Sequence, residues 1–86
     1  MGSALALLEF DSVASGLRGL DTLVKAAPVE VLEANLVEPG KFLVLYCGGV
    51  AEVESSHGAV TEAFAVSLKA EMLIPMVHTA LVGGLR

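Results

Sequence analysis

Few side chains in this 86-residue sequence could do chemistry, and most of them stand alone. Ser56 and His57 are adjacent, which invites a nucleophile and its base. On a helix, however, sequence neighbours do not face each other. No carboxylate is positioned to orient the imidazole, and no nucleophile elbow is present. His57 is therefore expected at a surface or an interface. Cys47 is the one cysteine and has no CxxC partner. It reads better as a small hydrophobe in the interior than as a metal or cluster ligand. Glu30, Glu33 and Glu38 could hold a cation, but residues three apart on a strand point to opposite faces, which separates Glu30 from Glu33. Gly48-Gly49 stands before a helical stretch whose N-terminus could hold an anion. No metal, no cofactor and no catalytic residue is expected.

The strongest local signal is the turn Val37-Glu38-Pro39-Gly40-Lys41. Proline fixes φ and glycine tolerates φ > 0, so Pro-Gly between β-prone runs predicts a strand-turn-strand unit.

Composition limits what these residues can serve. Net charge is −5 and the five bases, Arg18, Lys25, Lys41, Lys69 and Arg86, are scattered. No basic stripe exists for phosphate backbones, so no nucleic-acid partner is expected. A single cysteine cannot form an internal disulfide and suits a reducing compartment. Hydrophobic residues make up 55% of the chain and charged ones 17%, with mean hydropathy +0.75. That exceeds what a small monomer can hide, and the surplus must meet lipid or other subunits. No apolar run approaches the roughly 20 residues of a spanning helix. The N-terminus lacks the basic region of a signal peptide and meets Glu9 and Asp11 early. With Ala6 where Ser or Thr is needed, Gly2 makes no convincing myristoylation site. The expectation is a soluble, cytoplasmic oligomer without a membrane partner.

The elements that must position these residues follow from periodicity. Ala4 to Phe10 fits a buried first strand, and Asp11 or Ser12 offers a helix N-cap. Val13, Leu17, Leu20, Val24 and Ala27 recur every three or four residues, which predicts a helix burying that stripe. Gly16 and Gly19 are explained by close packing of this helix on a sheet, and Pro28 ends it. Val29 to Leu36 is a second strand, and Lys41 to Cys47 a third that is apolar on both faces. Val50 to Ala70 carries the longest helical pattern, with Glu52 and Glu54 in its first turn and Lys69 in its last. Met72 to Pro75 reads as a fourth strand, and His78 to Val82 as a short helix. The order β-α-β-β-α-β predicts an α/β (α+β) split βαβ fold: four antiparallel strands with two helices on one face, plus a short C-terminal helix.

These segments also carry a resemblance. Ala4-Leu5-Ala6-Leu7-Leu8-Glu9-Phe10, Gly16 through Asp21-Thr22-Leu23-Val24-Lys25-Ala26-Ala27-Pro28-Val29, Pro39-Gly40-Lys41-Phe42, Gly48-Gly49-Val50-Ala51-Glu52-Val53 and Ile74-Pro75-Met76-Val77-His78 occur in this order and spacing. Together they resemble the bacterial microcompartment (BMC) shell-protein domain across residues 1–86, read as one domain. The resemblance implies flat six-fold or pseudo-six-fold tiles with a central pore, packed edge to edge into a shell in the cytoplasm. Partners would be further copies of the chain, other shell proteins, and small metabolites crossing the pore. It implies that Glu38, Pro39, Gly40 and Lys41 line the pore, and that Lys25 and His78 make contacts at the tile edge. In a ring, the Glu38 carboxylates would gather into a negative constriction with raised pKa values. The alternative is a Glu38 that points outward as a solvated turn residue. Pro75-Met76-Val77-His78 departs from the Pro-Arg-Pro-His of single-domain hexamers. Pro39-Gly40-Lys41-Phe42 is more similar to the first half of tandem-domain, trimer-forming shell proteins of the propanediol-utilisation type. The chain is read either as a single-domain variant or as one half of a tandem protein.

Two other classes compete. A small-molecule-binding regulatory module on a ferredoxin-like fold would use Gly48-Gly49 as its ligand loop. An acylphosphatase-like enzyme would need an Arg and Asn pair, for which only Asn35, Arg18 and Arg86 are available.

Overall fold

A computed structural model describes residues 3–38 and 40–76. Four strands and two helices follow one another as β1 (Ser3–Phe10), α1 (Val13–Ala26), β2 (Glu30–Glu38), β3 (Lys41–Gly49), α2 (Val50–Ala63) and β4 (Leu68–Met76). The strands form one antiparallel sheet in the order β2-β3-β1-β4. Both helices pack on the same face, as the split βαβ order predicts. The short helix expected over His78 to Val82 lies outside the described residues.

Period-2 alternation builds the core. Ala4, Ala6, Leu8 and Phe10 of β1, with Phe42, Val44 and Tyr46 of β3, face the helices and are buried. Leu23 of α1 and Val53 and Val60 of α2 close over them. At about 25 cal/mol per Å² of apolar surface, each buried Leu, Val or Phe side chain contributes roughly 1.5–3 kcal/mol, the main favourable term of folding.

Helix α1 starts where the Ser12 side chain accepts a hydrogen bond from the Ser15 backbone N–H at 3.1 Å. It does not bury the expected stripe. Its inward residues are Ser15, Gly16, Gly19 and Leu23, whereas Val13, Leu17 and Val24 are exposed. The volume at this contact comes from the sheet. A Cβ at Gly16 would run into the Phe42 side chain, and one at Gly19 into the Phe10 ring. The aromatic rings need small partners, so the glycines set the phase of the helix, and Val13, Leu17 and Val24 turn outward while Leu23 and, in part, Leu20 reach the core.

Helix α2 is shorter than its sequence pattern. It ends at Ala63, with the Phe64 N–H bonded to Val60 carbonyl oxygen at 2.8 Å. The Phe64 ring then packs edge-on against Phe10, with centroids 6.0 Å apart. Leu68, Lys69 and Ala70, expected in the helix, belong to β4, because β1 offers a full row of backbone partners from Ser3↔Met76 to Phe10↔Leu68. Satisfying that edge outweighs local helical propensity.

Candidate functional site: the hairpin tip, the polar clasp and the open face

The β2–β3 hairpin is as tight as the Pro-Gly signal predicts. Glu38 pairs with Lys41 across the turn, and Gly40 has φ 83°. A positive φ of about +80° is what a type II turn requires at its third residue, and it favours glycine. Pro39 and the Glu38 side chain lie outside what the structure describes. Lys41 bridges to Glu9 at 3.7 Å on the sheet face opposite the helices. The two nine-residue strands therefore carry this turn at one end of the sheet.

Along β2 the structure corrects the expected separation of carboxylates. The register shifts between Val31 and Glu33, so Glu30 pairs with Cys47 and Glu33 with Leu45. Cys47 and Leu45 share the open face, and the bulge brings Glu30 and Glu33 onto it together. Asn35 follows on the same face, its amide donating to the Glu33 carboxylate. No group of three or more His, Cys, Asp or Glu side chains among the described residues is arranged to hold a metal ion. Cys47 is half-buried on this face, and burial, then the Glu30 charge, push its thiol above the usual range.

His57 is not at the surface. It is 8% exposed, and both ring nitrogens are engaged. Glu71 of β4 lies 2.6 Å from Nε2, and the Tyr46 hydroxyl of β3 lies 2.7 Å from Nδ1. A carboxylate only accepts, so Nε2 carries the hydrogen. The neutral ring then offers Nδ1 to the Tyr46 O–H. Burial, with the Glu71 charge adding to it, raises the Tyr46 phenol well above its ordinary value. The carboxylate that orients the imidazole is thus present, fourteen residues downstream. The sequence pattern does not reveal it, because the strand expected over Met72 to Pro75 leaves Glu71 just outside, with no facing. Strand alternation puts it opposite Leu8, facing α2. Ser56 takes no part: its hydroxyl donates to the Leu23 carbonyl oxygen at 2.9 Å. With Tyr46 fully buried, the three side chains clasp α2 to β3 and β4 and present no nucleophile.

Lys25 is on the exposed side of α1, 3.0 Å from Asp21 one turn earlier. His78 lies outside the described residues. At Gly49, the N-cap of α2, the Glu52 carboxylate already lies against the backbone. An anion would meet that negative charge, so Gly48-Gly49 makes a poor ligand loop.

The sheet face away from the helices carries an apolar hollow among the described residues. Leu5, Leu7, Leu45, Met72 and Ile74 surround a shallow hollow of about 170 Å³ there. Met72 and Ile74 are 51% and 42% exposed. The apolar half covers β4, β1 and the adjoining part of β3, while β2 supplies the acidic rim. No helix among the described residues is long and apolar enough to cross a membrane.

Comparison with known proteins is consistent with this architecture. The BMC domain family model matches residues 4–77. The bacterial microcompartment shell protein PduT of Citrobacter freundii is 30% identical over 80 residues, covering 93% of this chain and 44% of that protein. The crystal structure of a microcompartment protein from Desulfitobacterium hafniense DCB superimposes with a TM-score of 0.82 at 42% identity. That match covers 90% of this chain and 43% of the other. The chain thus spans less than half the length of either relative.

Proposed function

This chain belongs to the BMC domain family, and we propose that it is a structural tile of a bacterial microcompartment shell in the cytoplasm. Copies assemble into cyclic tiles, hexameric or pseudohexameric, that join one another and other shell proteins edge to edge. The observation that carries this reading is the open sheet face, where Leu5, Leu7, Leu45, Met72 and Ile74 form a hollow that an isolated chain leaves wet. Assembly covers such a face.

In the tile, the hairpin tip of Glu38, Pro39, Gly40 and Lys41 lines a central pore for small metabolites. Gly40 keeps the turn narrow, and its backbone can approach a polar solute closely. Lys41 has its charge partly matched by Glu9, which leaves Glu38 as the dominant charge of the constriction. The pore would then disfavour anions. Lys25 and His78 serve the outer edge, where tiles meet. The work is passive, with no catalytic step and no cofactor.

Native mass spectrometry and negative-stain images of the purified protein test this reading. Rings or extended sheets are expected. A monodisperse monomer or dimer that binds a nucleotide would instead favour the regulatory module.

A further inference from the structure

One ion pair is set into the apolar half of the open sheet face. Strand alternation puts Leu5, Leu7 and Glu9 of β1 on this face, with Lys41, Leu43 and Leu45 of β3 beside them. The register places Glu9 between Leu43 and Ala70, so both of its direct cross-strand neighbours are apolar. Its side chain is 23% exposed, and the Lys41 ammonium lies 3.7 Å from its carboxylate. Glu9 is also at the hairpin end of the sheet, since Phe10 pairs with Phe42 and Lys41 with Glu38. Leu43, its partner on β3, is two residues beyond Lys41, which sets Glu9 roughly 7 Å further from the turn. The pair therefore draws the ammonium back along the sheet, away from the tip.

We propose that Glu9, which stands outside the turn, fixes the charge a solute meets at the pore by holding the Lys41 ammonium back on the sheet face. The proposal rests on the pore reading and deepens it by naming the residue behind the pore's preference. Glu38 and Lys41 are paired in the register, and their formal charges cancel. Asp11 and Lys69, at the same end of the sheet, are also of opposite sign. Glu9 supplies the negative charge left over, and a ring repeats it with every copy. In water, a unit charge about 7 Å from a monovalent ion changes that ion's local concentration by roughly threefold. Salt of about 0.1 M screens such a charge only beyond about 10 Å, so Glu9 acts within range of the tip. Solutes carrying carboxylate or phosphate groups are the ones held back, and small neutral or cationic molecules are admitted. Without Glu9, Lys41 would offset Glu38 and the preference would vanish.

The test uses wild type, Glu9→Gln, Lys41→Gln and the double variant, with rings checked by native mass spectrometry and the fold by circular dichroism. Reversal potentials across reconstituted tiles in a potassium chloride gradient give the chloride-to-potassium permeability ratio. Glu9→Gln should raise this ratio about threefold or more, and Lys41→Gln should lower it by a similar factor. The double variant should return to about the wild-type ratio, and both single shifts should shrink in roughly 1 M salt. A second measurement needs no rings: acylation of the lysine amines, followed by mass spectrometry. Lys41 should label about twofold faster in Glu9→Gln, where no carboxylate pairs with it from β1, while Lys25 labels as in wild type. A wild-type ratio in Glu9→Gln beside a shifted ratio in Lys41→Gln would overturn the role of Glu9 and leave the pore reading standing. Unchanged labelling of Lys41 would overturn it as well, even if Glu9→Gln formed no rings. Equal ratios in all four proteins would move the pore away from this end of the sheet, and the proposal would fall with it. A wild type without rings would defeat the tile reading itself.

Discussion

The two faces of the one sheet are built from the same strands and end in opposite conditions. On the helix side, Leu8 and Phe10 of β1 meet Leu23, Val53 and Val60 and lose all contact with water. On the other side, Leu5 and Leu7 of the same strand are half-exposed and, among the described residues, meet only neighbouring strands. Hydrophobicity alone does not distinguish Leu7 from Leu8. What differs is whether the chain supplies a second layer. Among the described residues, both helices pack on one face of a sheet that is apolar on both, and no element packs on the other.

Truncating adjacent leucines gives the sharpest contrast. Leu8→Ala removes fully buried methyl groups and should cost about 2–5 kcal/mol, seen as a large fall in the denaturant midpoint. Leu7→Ala should cost the dissociated chain less than about 1 kcal/mol while weakening assembly. Equal losses of chain stability would mean that the chain itself covers the open face.

The clasp between α2 and the sheet comes next in size. Tyr46→Phe leaves the buried His57 Nδ1 without its donor and should destabilise by about 1–3 kcal/mol. The same variant tests a pH dependence. The folded state holds the Tyr46 phenol protonated above its ordinary value of 10.0, whereas the unfolded chain releases the proton near that value. Above pH 10 the unfolded state therefore binds fewer protons, and stability falls as pH rises. Urea melts across the alkaline range should show this slope in wild type and a shallower one in Tyr46→Phe. Equal slopes would remove Tyr46 as the cause.

How much of this contrast the sequence shows depends on where spacing and geometry agree. The element order, the Pro-Gly hairpin and the close packing at Gly16 and Gly19 are legible because each depends on local chemistry. The phase of α1 is not, because the bulk of Phe10 and Phe42 on the sheet decides which side of the helix turns inward. Nor is the end of α2, where the free edge of β1 claims Leu68 to Ala70. The facing of Glu30 and Glu33 follows from a bulge that no residue type announces. The His57 clasp joins residues 46, 57 and 71, and only the fold brings them together.

At the hairpin tip the effect is smaller and purely conformational. A Cβ at Gly40 would meet nothing within 4 Å, so Gly40→Ala is opposed only by its φ of 83°. The cost should be about 1–2 kcal/mol, with rings retained. Ion flux through reconstituted tiles should change with this variant if the tip lines the pore. Unchanged flux would move the pore elsewhere.

The smallest change in chain stability should accompany Lys25→Ala. Its ion pair with Asp21 is largely solvated, with side chains 74% and 60% exposed, and such pairs contribute no more than about 0.5 kcal/mol. Thermal melts of the variant should overlay wild type, and its rings should survive, because Lys25 is assigned to contacts between tiles. Sheets imaged by electron microscopy should become sparse. A charge that adds little to its own fold can still decide whether tiles associate, since the same contact recurs along every edge. Sheets that persist unchanged in Lys25→Ala would show that the outer edge is made by other residues, and Lys25 would then be an ordinary solvated end to α1.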